Sequence, residues 1–266
     1  MDDYRPVPGT AVYELDTPCL LVYLDALENN YRIVADMYAD TVVKMRQHTK
    51  NIKSPLLAEM QFRAGGTLNG VCTAKLSEAE VMVEHGIDDV LVANQIVTRD
   101  KISRLCTLNR RADVKVCVDN VDNVRDLSLE AESIGVTVGV LIEVDTSMGR
   151  AGVRSSEQAV ELARVAWDMP GVKFLGVMSH QSISDYTGEE SRKSGYQKYI
   201  QDCLDVKDAI ESVGIPVQVV STGETASYDI AAETPGVTEV EGGTYALGGL
   251  MYGYMKEFRV ANKVLS

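Results

Sequence analysis

No apolar run in this 266-residue chain reaches the roughly 20 residues that a membrane-spanning helix requires. The opening MDDYRPVPGT is acidic and lacks the apolar core of a secretory signal, so a cytoplasmic location is the expectation. The cysteines (Cys19, Cys72, Cys106, Cys117 and Cys203) are odd in number and show no Cys-x-x-Cys pairing. That argues against a disulfide framework or a cysteine zinc site and suits a reducing compartment. His48, His85 and His180 share no short spacing, so no metal-ligand cluster is expected. Positive charge is scarce: 26 Lys and Arg face 39 Asp and Glu, for a net charge of −13. Such a surface repels phosphate backbones and makes nucleic acid an unexpected partner. An anionic ligand would need a local pocket of amides or cations. No linker rich in Gly, Ser or Pro and no low-complexity tract divides the chain.

Short β-rich runs alternate with longer helical patterns. The strand candidates are Cys19–Tyr23, Val42–Gln47, Gly70–Ala74, Asp89–Ala93, Val114–Val118, Val138–Val144, Phe174–Ser179 and Val217–Ser221. Several are near-continuous apolar runs, as expected of parallel strands covered on both faces. Ser77–Glu84, Ser156–Ala166 and Tyr196–Val213 read as helices, the first with Ser77 as N-cap and the last closed by Gly214 and Pro216. About eight βα units point to an α/β fold, a closed (β/α)8 barrel of TIM type, with a doubly wound open sheet as the alternative. A barrel carries its functional residues at the C-terminal strand ends. That filter selects Lys50, Lys75, Asn94, Asp119, Asp145 to Arg150, His180 and the Ser221–Thr225 turn.

Lys50 follows a strand end, with Arg46, His48 and Lys53 as nearby positive charge. A lysine whose pKa falls through burial or a neighbouring cation becomes a nucleophile toward carbonyls. The same residues would also make a solvated basic loop. Ser221-Thr-Gly-Glu-Thr225 follows one apolar strand, and Glu241-Gly-Gly-Thr-Tyr245 follows the run Val237–Val240. Two such turns on successive strands bring amides and hydroxyls close enough to cradle a phosphate, although Gly/Thr turns are commonly only turns. Arg150, in Asp145-Thr-Ser-Met-Gly-Arg-Ala-Gly152, is suited to an oxyanion or to a helix C-terminus. His180 ends a strand, where it either meets a ligand or sits satisfied in the core. His85 reads as a helix end before Gly86.

Arg46-Gln-His-Thr-Lys-Asn-Ile-Lys-Ser-Pro55 resembles the R-P-H-x-K-T-H-K-S-P motif of the D-threonine aldolase/D-serine dehydratase family. These are fold-type III pyridoxal 5'-phosphate (PLP) enzymes with an alanine-racemase-like N-terminal domain. Leu15-Asp-Thr-Pro-Cys-Leu20, Gly70–Glu80, Ile87–Asn94, Asp145–Gly152, Gly176–His180 and Thr238–Tyr245 resemble further family blocks in order. The resemblance implies a PLP-binding barrel over residues 1–250, with residues 251–266 as the start of a C-terminal β-domain that is otherwise missing. It implies that Lys50 is the Schiff-base lysine and that Arg150 contacts the phenolic oxygen. Thr225, Gly243 and Thr244 would hold the phosphate, Gly223 would shape the turn, and His180 would support the ring as a catalytic residue. Tyr186 and Lys75 are in range by topology alone.

The chain departs from the family pattern. Gln47, Asn51 and Ile52 replace the Pro, Thr and His of the motif. Glu241 stands where alanine racemases carry an arginine facing the pyridine nitrogen; a carboxylate there would favour a protonated ring and a stronger electron sink. In the aldolase and dehydratase branches the β-domain supplies a metal pair, so a divalent metal belongs to full-length relatives and no ligand to it is expected here. The expected function is a PLP-dependent lyase acting on a D-3-hydroxy amino acid, as a homodimer. Weak turnover is expected of the chain alone. The rivals are a single-barrel PLP-binding protein without robust catalysis and an amino-acid racemase.

Overall fold

The computed structural model describes residues 5–182, 188–248, 255 and 257–265. Its centre is a closed barrel of eight parallel strands. In chain order the elements begin with β1 (Cys19–Val22), α1 (Leu24–Tyr38), β2 (Lys44–His48), α2 (Pro55–Ala64), β3 (Thr67–Thr73), α3 (Leu76–Glu84) and β4 (Asp89–Val92). They continue with α4 (Arg99–Leu108), β5 (Asp113–Val118), α5 (Val121–Ile134), β6 (Val138–Glu143), α6 (Ser156–Asp168) and β7 (Val172–Ser179). The last are α7 (Glu189–Ser212), β8 (Val219–Thr222), α8 (Tyr228–Glu233), β9 (Glu239–Val240), α9 (Thr244–Leu247) and β10 (Asn262–Leu265). Strands β2 to β9 form the barrel, closed where Lys44 and Met45 pair with Glu239 and Val240.

One strand expectation is corrected. The run at Cys19 does form a strand, but outside the barrel, paired antiparallel with β10 in a two-stranded ribbon. Its burial alternates, and Leu20 is 76% exposed. A parallel barrel strand is covered on both faces, and β1 is not. The short β9 supplies the eighth barrel strand instead. The helix starts also shift. Lys75, not Ser77, is the N-cap of α3, and Glu78 reaches back to accept the Ala74 amide at 2.9 Å. Helix α7 begins at Glu189, seven residues before the expected Tyr196, because Arg192 on its first turns pairs with Glu189 and with Asp229 of α8.

The main core lies between barrel and helices. Inside the barrel three layers are stacked. At the N-terminal end, Arg46 donates to Glu239 at 2.8 and 3.0 Å and to Asp89 at 2.8 Å, while Lys115 pairs with Asp89 at 2.9 Å. Above this lies an apolar plug of Leu91, Cys117, Leu141, Leu175 and Met178. Over the plug the interior becomes polar again, at the C-terminal mouth. None of the helices among the described residues is long and apolar enough to cross a membrane.

Candidate active site

The cavity at the C-terminal mouth has a volume of about 230 Å³. Lys50, Arg150, His180 and Glu241, from four separate segments, all line it. His48, Asn94 and Met178 complete much of the wall and floor. Lys50 sits one turn past β2. Its loop is held by Thr49, whose amide and hydroxyl both donate to the Cys72 carbonyl, at 2.8 and 3.2 Å. Lys50 itself is exposed at the rim.

The cations expected around Lys50 are elsewhere. Arg46 points to the opposite end of the barrel. Lys53 is mostly exposed and pairs with Glu78 at 2.5 Å. His48 is held neutral by burial first and then by the Lys50 charge. Arg46 lies four residues before Lys50, and at about 3.3 Å per strand residue it sits roughly 13 Å down the barrel from the mouth, so nearness in sequence did not carry over. Lys75 is exposed at the start of α3, away from the cavity lining. Tyr186 lies outside the described residues.

Among the described residues, Arg150 caps no helix C-terminus. Its loop is folded by carboxylates: Gly149 donates to Asp145 at 2.9 Å, and Gly152 donates to Asp119 at 2.9 Å. The Arg150 guanidinium stands 3.8 Å from buried Glu143, which also accepts from Gln95 at 2.5 Å. Burial, then the charges of Lys50 and Arg150, lower His180 to about 4, so its imidazole is neutral at pH 7. His85 ends α3, with its ring 2.8 Å from the Val81 carbonyl.

The two Gly/Thr turns adjoin each other beside this cavity; among the described residues, only Glu241 of the two turns lines it. Thr225 Oγ1 joins them by accepting the amides of Gly243 and Tyr245, at 3.3 and 3.2 Å. Asn51, next to Lys50, donates to Thr244 Oγ1 at 3.0 Å and ties the second turn to the lysine loop. Buried Arg192 donates to the Ala226 carbonyl and braces the first turn from α7. A Cβ at Gly243 would lie 2.4 Å from the His48 carbonyl oxygen. That glycine is therefore already required by the close approach of two backbones.

On the floor, Glu241 accepts from Cys72 Sγ at 3.0 Å and from Ser221 Oγ at 2.8 Å. The ligand atoms of His48, Cys72 and Glu241 lie within 4.8 Å of one another. Their donor set has the chemistry of a metal site, but the thiol and hydroxyl already satisfy the carboxylate without an ion. Cys72, Gln95 and Arg192 were not singled out as site residues from the sequence, and Ser221 was read only as part of the Ser221–Thr225 turn. A strand-end position was the one available signal for Cys72 and Ser221, and it does not say which way a side chain faces.

Burial pushes Glu241 up to about 7, with Glu239 adding to the rise and the two hydrogen bonds opposing it. A carboxyl raised by folding costs stability once the unfolded chain ionises. The cost begins near 4.5, grows to about 7 and is constant above that. Glu241→Gln is thus expected to stabilise the ligand-free protein at pH 8 by about 2 to 3 kcal/mol and to change it little at pH 4. Urea titrations at the two pH values measure this; an equal effect at both would contradict it.

The family model for "Alanine racemase, N-terminal domain" matches residues 22–251. The chain belongs to this family. It is 37% identical over 253 residues to a 3-hydroxy-D-aspartate aldolase of Paracoccus denitrificans, covering 94% of this chain and 65% of that protein. It is 29% identical to a D-threo-3-hydroxyaspartate dehydratase of a Delftia species, covering 89% of this chain and 62% of that protein. The crystal structure of D-threonine aldolase from Filomicrobium marinum superposes with a TM-score of 0.89 at 31% identity, covering 95% of this chain and 70% of that one. The chain is thus a member of the fold-type III PLP family, alongside D-threonine aldolase and the 3-hydroxyaspartate aldolases and dehydratases. It spans under two thirds of the length of the two curated relatives.

Proposed function

We propose that the barrel mouth binds PLP and that this is the cofactor-binding barrel of a PLP-dependent lyase acting on D-3-hydroxy amino acids. The carrying observation is the convergence of Lys50, Arg150, His180 and Glu241 on one cavity. The donor set fits the group: an exposed amine, an exposed guanidinium, a buried carboxylate and the Met178 side chain line one cavity. Lys50 Nζ would hold the cofactor covalently. Arg150 would face its phenolic oxygen, and Glu241 its ring nitrogen. Gly223 and Thr225, with Gly243 and Thr244, would form the phosphate wall from amides and hydroxyls, since neither turn carries a lysine or arginine. When bound, the cofactor supplies an electron sink for bond cleavage at the substrate Cα. Neutral His180 has a ring nitrogen free of a proton at pH 7, and so can accept one inside the cavity.

Borohydride reduction of PLP-treated protein, followed by peptide mass mapping, tests the assignment. The pyridoxyl group is expected on Lys50, and Lys50→Ala should lose it. An adduct confined to Lys53 or Lys75 would overturn the reading.

A further inference from the structure

His48, Cys72 and Glu241 come from β2, β3 and the turn after β9. All are buried, and their ligand atoms lie within 4.8 Å of one another. Among the described residues, no other group of three His, Cys, Asp or Glu side chains comes together in this way.

The donors are one nitrogen, one sulfur and one carboxylate oxygen. That set suits zinc, whereas calcium and magnesium ask for oxygen alone. The spacing is close to what zinc needs. Bonds of about 2.3 Å to sulfur and about 2.0 Å to nitrogen or oxygen put tetrahedral ligands roughly 3.3 to 3.6 Å apart. Cys72 Sγ and Glu241 Oε2 already stand 3.0 Å apart. No pair of the three has to contract by more than about 1.5 Å to reach that geometry.

The charges also balance. Burial keeps His48 neutral, so a dication with the Cys72 thiolate and the Glu241 carboxylate makes a neutral unit, which a buried site tolerates best. Ser221 Oγ donates to the other carboxylate oxygen at 2.8 Å and fixes its aim. The proton now between thiol and carboxylate is what the ion would replace. It leaves to solvent, with any proton on Glu241, and no group changes oxidation state. His48 and Glu241 line the cavity of about 230 Å³, which gives the ion its way in. The fourth zinc position is left for a water from that cavity.

We propose that His48, Cys72 and Glu241 bind a zinc(II) ion on the cavity floor, and that this ion and PLP exclude each other. Zinc would then hold the barrel in a cofactor-free state. The metal site stands on the geometry of the three ligands. The exclusion rests on the reading of the cavity as the PLP site, because both would occupy the same space.

The test uses the full chain, freed of bound aldehyde with hydroxylamine and of metal with a chelator. Titrated cobalt(II) should give tetrahedral visible bands and a thiolate-to-cobalt band in the near ultraviolet, both displaced by zinc. Cys72→Ser should lose the thiolate band and weaken zinc binding by roughly tenfold or more. Cys19→Ser, which removes the partly exposed thiol, should keep both. X-ray absorption of the zinc-loaded parent reads the same ligands without a variant, as one sulfur at about 2.3 Å with nitrogen and oxygen near 2.0 Å. An octahedral cobalt spectrum, a zinc shell without sulfur, or a thiolate band that survives Cys72→Ser would overturn the site. Bound zinc, with the excess removed, should cut the borohydride-trapped PLP adduct on Lys50 several-fold, and a chelator should restore it. Equal capture with and without zinc would overturn the exclusion. Absence of any Lys50 adduct in the metal-free chain would instead sink the cofactor reading and leave the metal site to its spectra.

Discussion

Arg46→Met is expected to lower the melting temperature by roughly 10 °C or more at pH 7, a loss of about 3 to 5 kcal/mol. Arg46 is 3% exposed and holds Glu239 and Asp89 together through four hydrogen bonds. Those partners belong to β9 and β4, so the guanidinium ties the closing strand to the rest of the barrel from inside. Methionine has nearly the right reach but no charge. It would leave Glu239, itself 4% exposed, ionised with no cation against it. The pH dependence has a definite sign. Burial works to raise Asp89, but Arg46 and Lys115 outweigh it and hold the carboxyl below its ordinary range. A depressed carboxyl contributes stability that is present above the unfolded pKa and is lost as pH falls through the folded one. The penalty of Arg46→Met should therefore be largest near neutrality and shrink in acid. Thermal melts at pH 7 and at about pH 3, below the ordinary Asp value of 3.8, measure it, and a pH-independent loss under about 1 kcal/mol would show that the layer is dispensable.

Gly176→Ala is expected to cost about 3 kcal/mol or more and to leave much of the protein misfolded. A Cβ at this position would stand 1.9 Å from the Val219 carbonyl oxygen and 2.8 Å from its carbon. Both atoms are backbone of the paired strand β8, so no side-chain rotation relieves the contact. Strands β7 and β8 would have to separate at the point where β7 already shifts register against β6. The same two strands lead to His180 and to the Gly223–Thr225 turn, so folded material should also hold PLP weakly. Urea midpoints and cofactor titration of the soluble fraction check both effects. A midpoint matching the parent would mean that the two strands lie farther apart than described.

The barrel was legible because parallel strands buried on both faces leave long apolar runs. Val114–Val118 lies within β5 (Asp113–Val118), and Val138–Val144 covers β6 (Val138–Glu143). The same cue misplaced β1, which is apolar without being enclosed. It also gave no sign of the charged layer, because Arg46, Asp89 and Glu239 meet only when strands 43 or more residues apart curl into one ring. The site was legible as a set of strand ends. Lys50, Arg150, His180 and Glu241 do converge, since closing a barrel brings every C-terminal strand end to one mouth.

Residue order by itself therefore determined the alternation of elements, the family resemblance and the barrel end at which Lys50, Arg150, His180 and Glu241 gather. Those follow from local patterning and from motifs a few residues long. Only the tertiary structure decided which way each strand residue faces. It moved Cys19–Val22 out of the ring and brought Cys72 and Ser221 onto Glu241. A strand's side chains alternate by two, and the phase of that alternation is set by pairing with neighbours distant in sequence. A shift of one residue would exchange every inward group for an outward one, and nothing in the local sequence of β2 or β3 carries that phase.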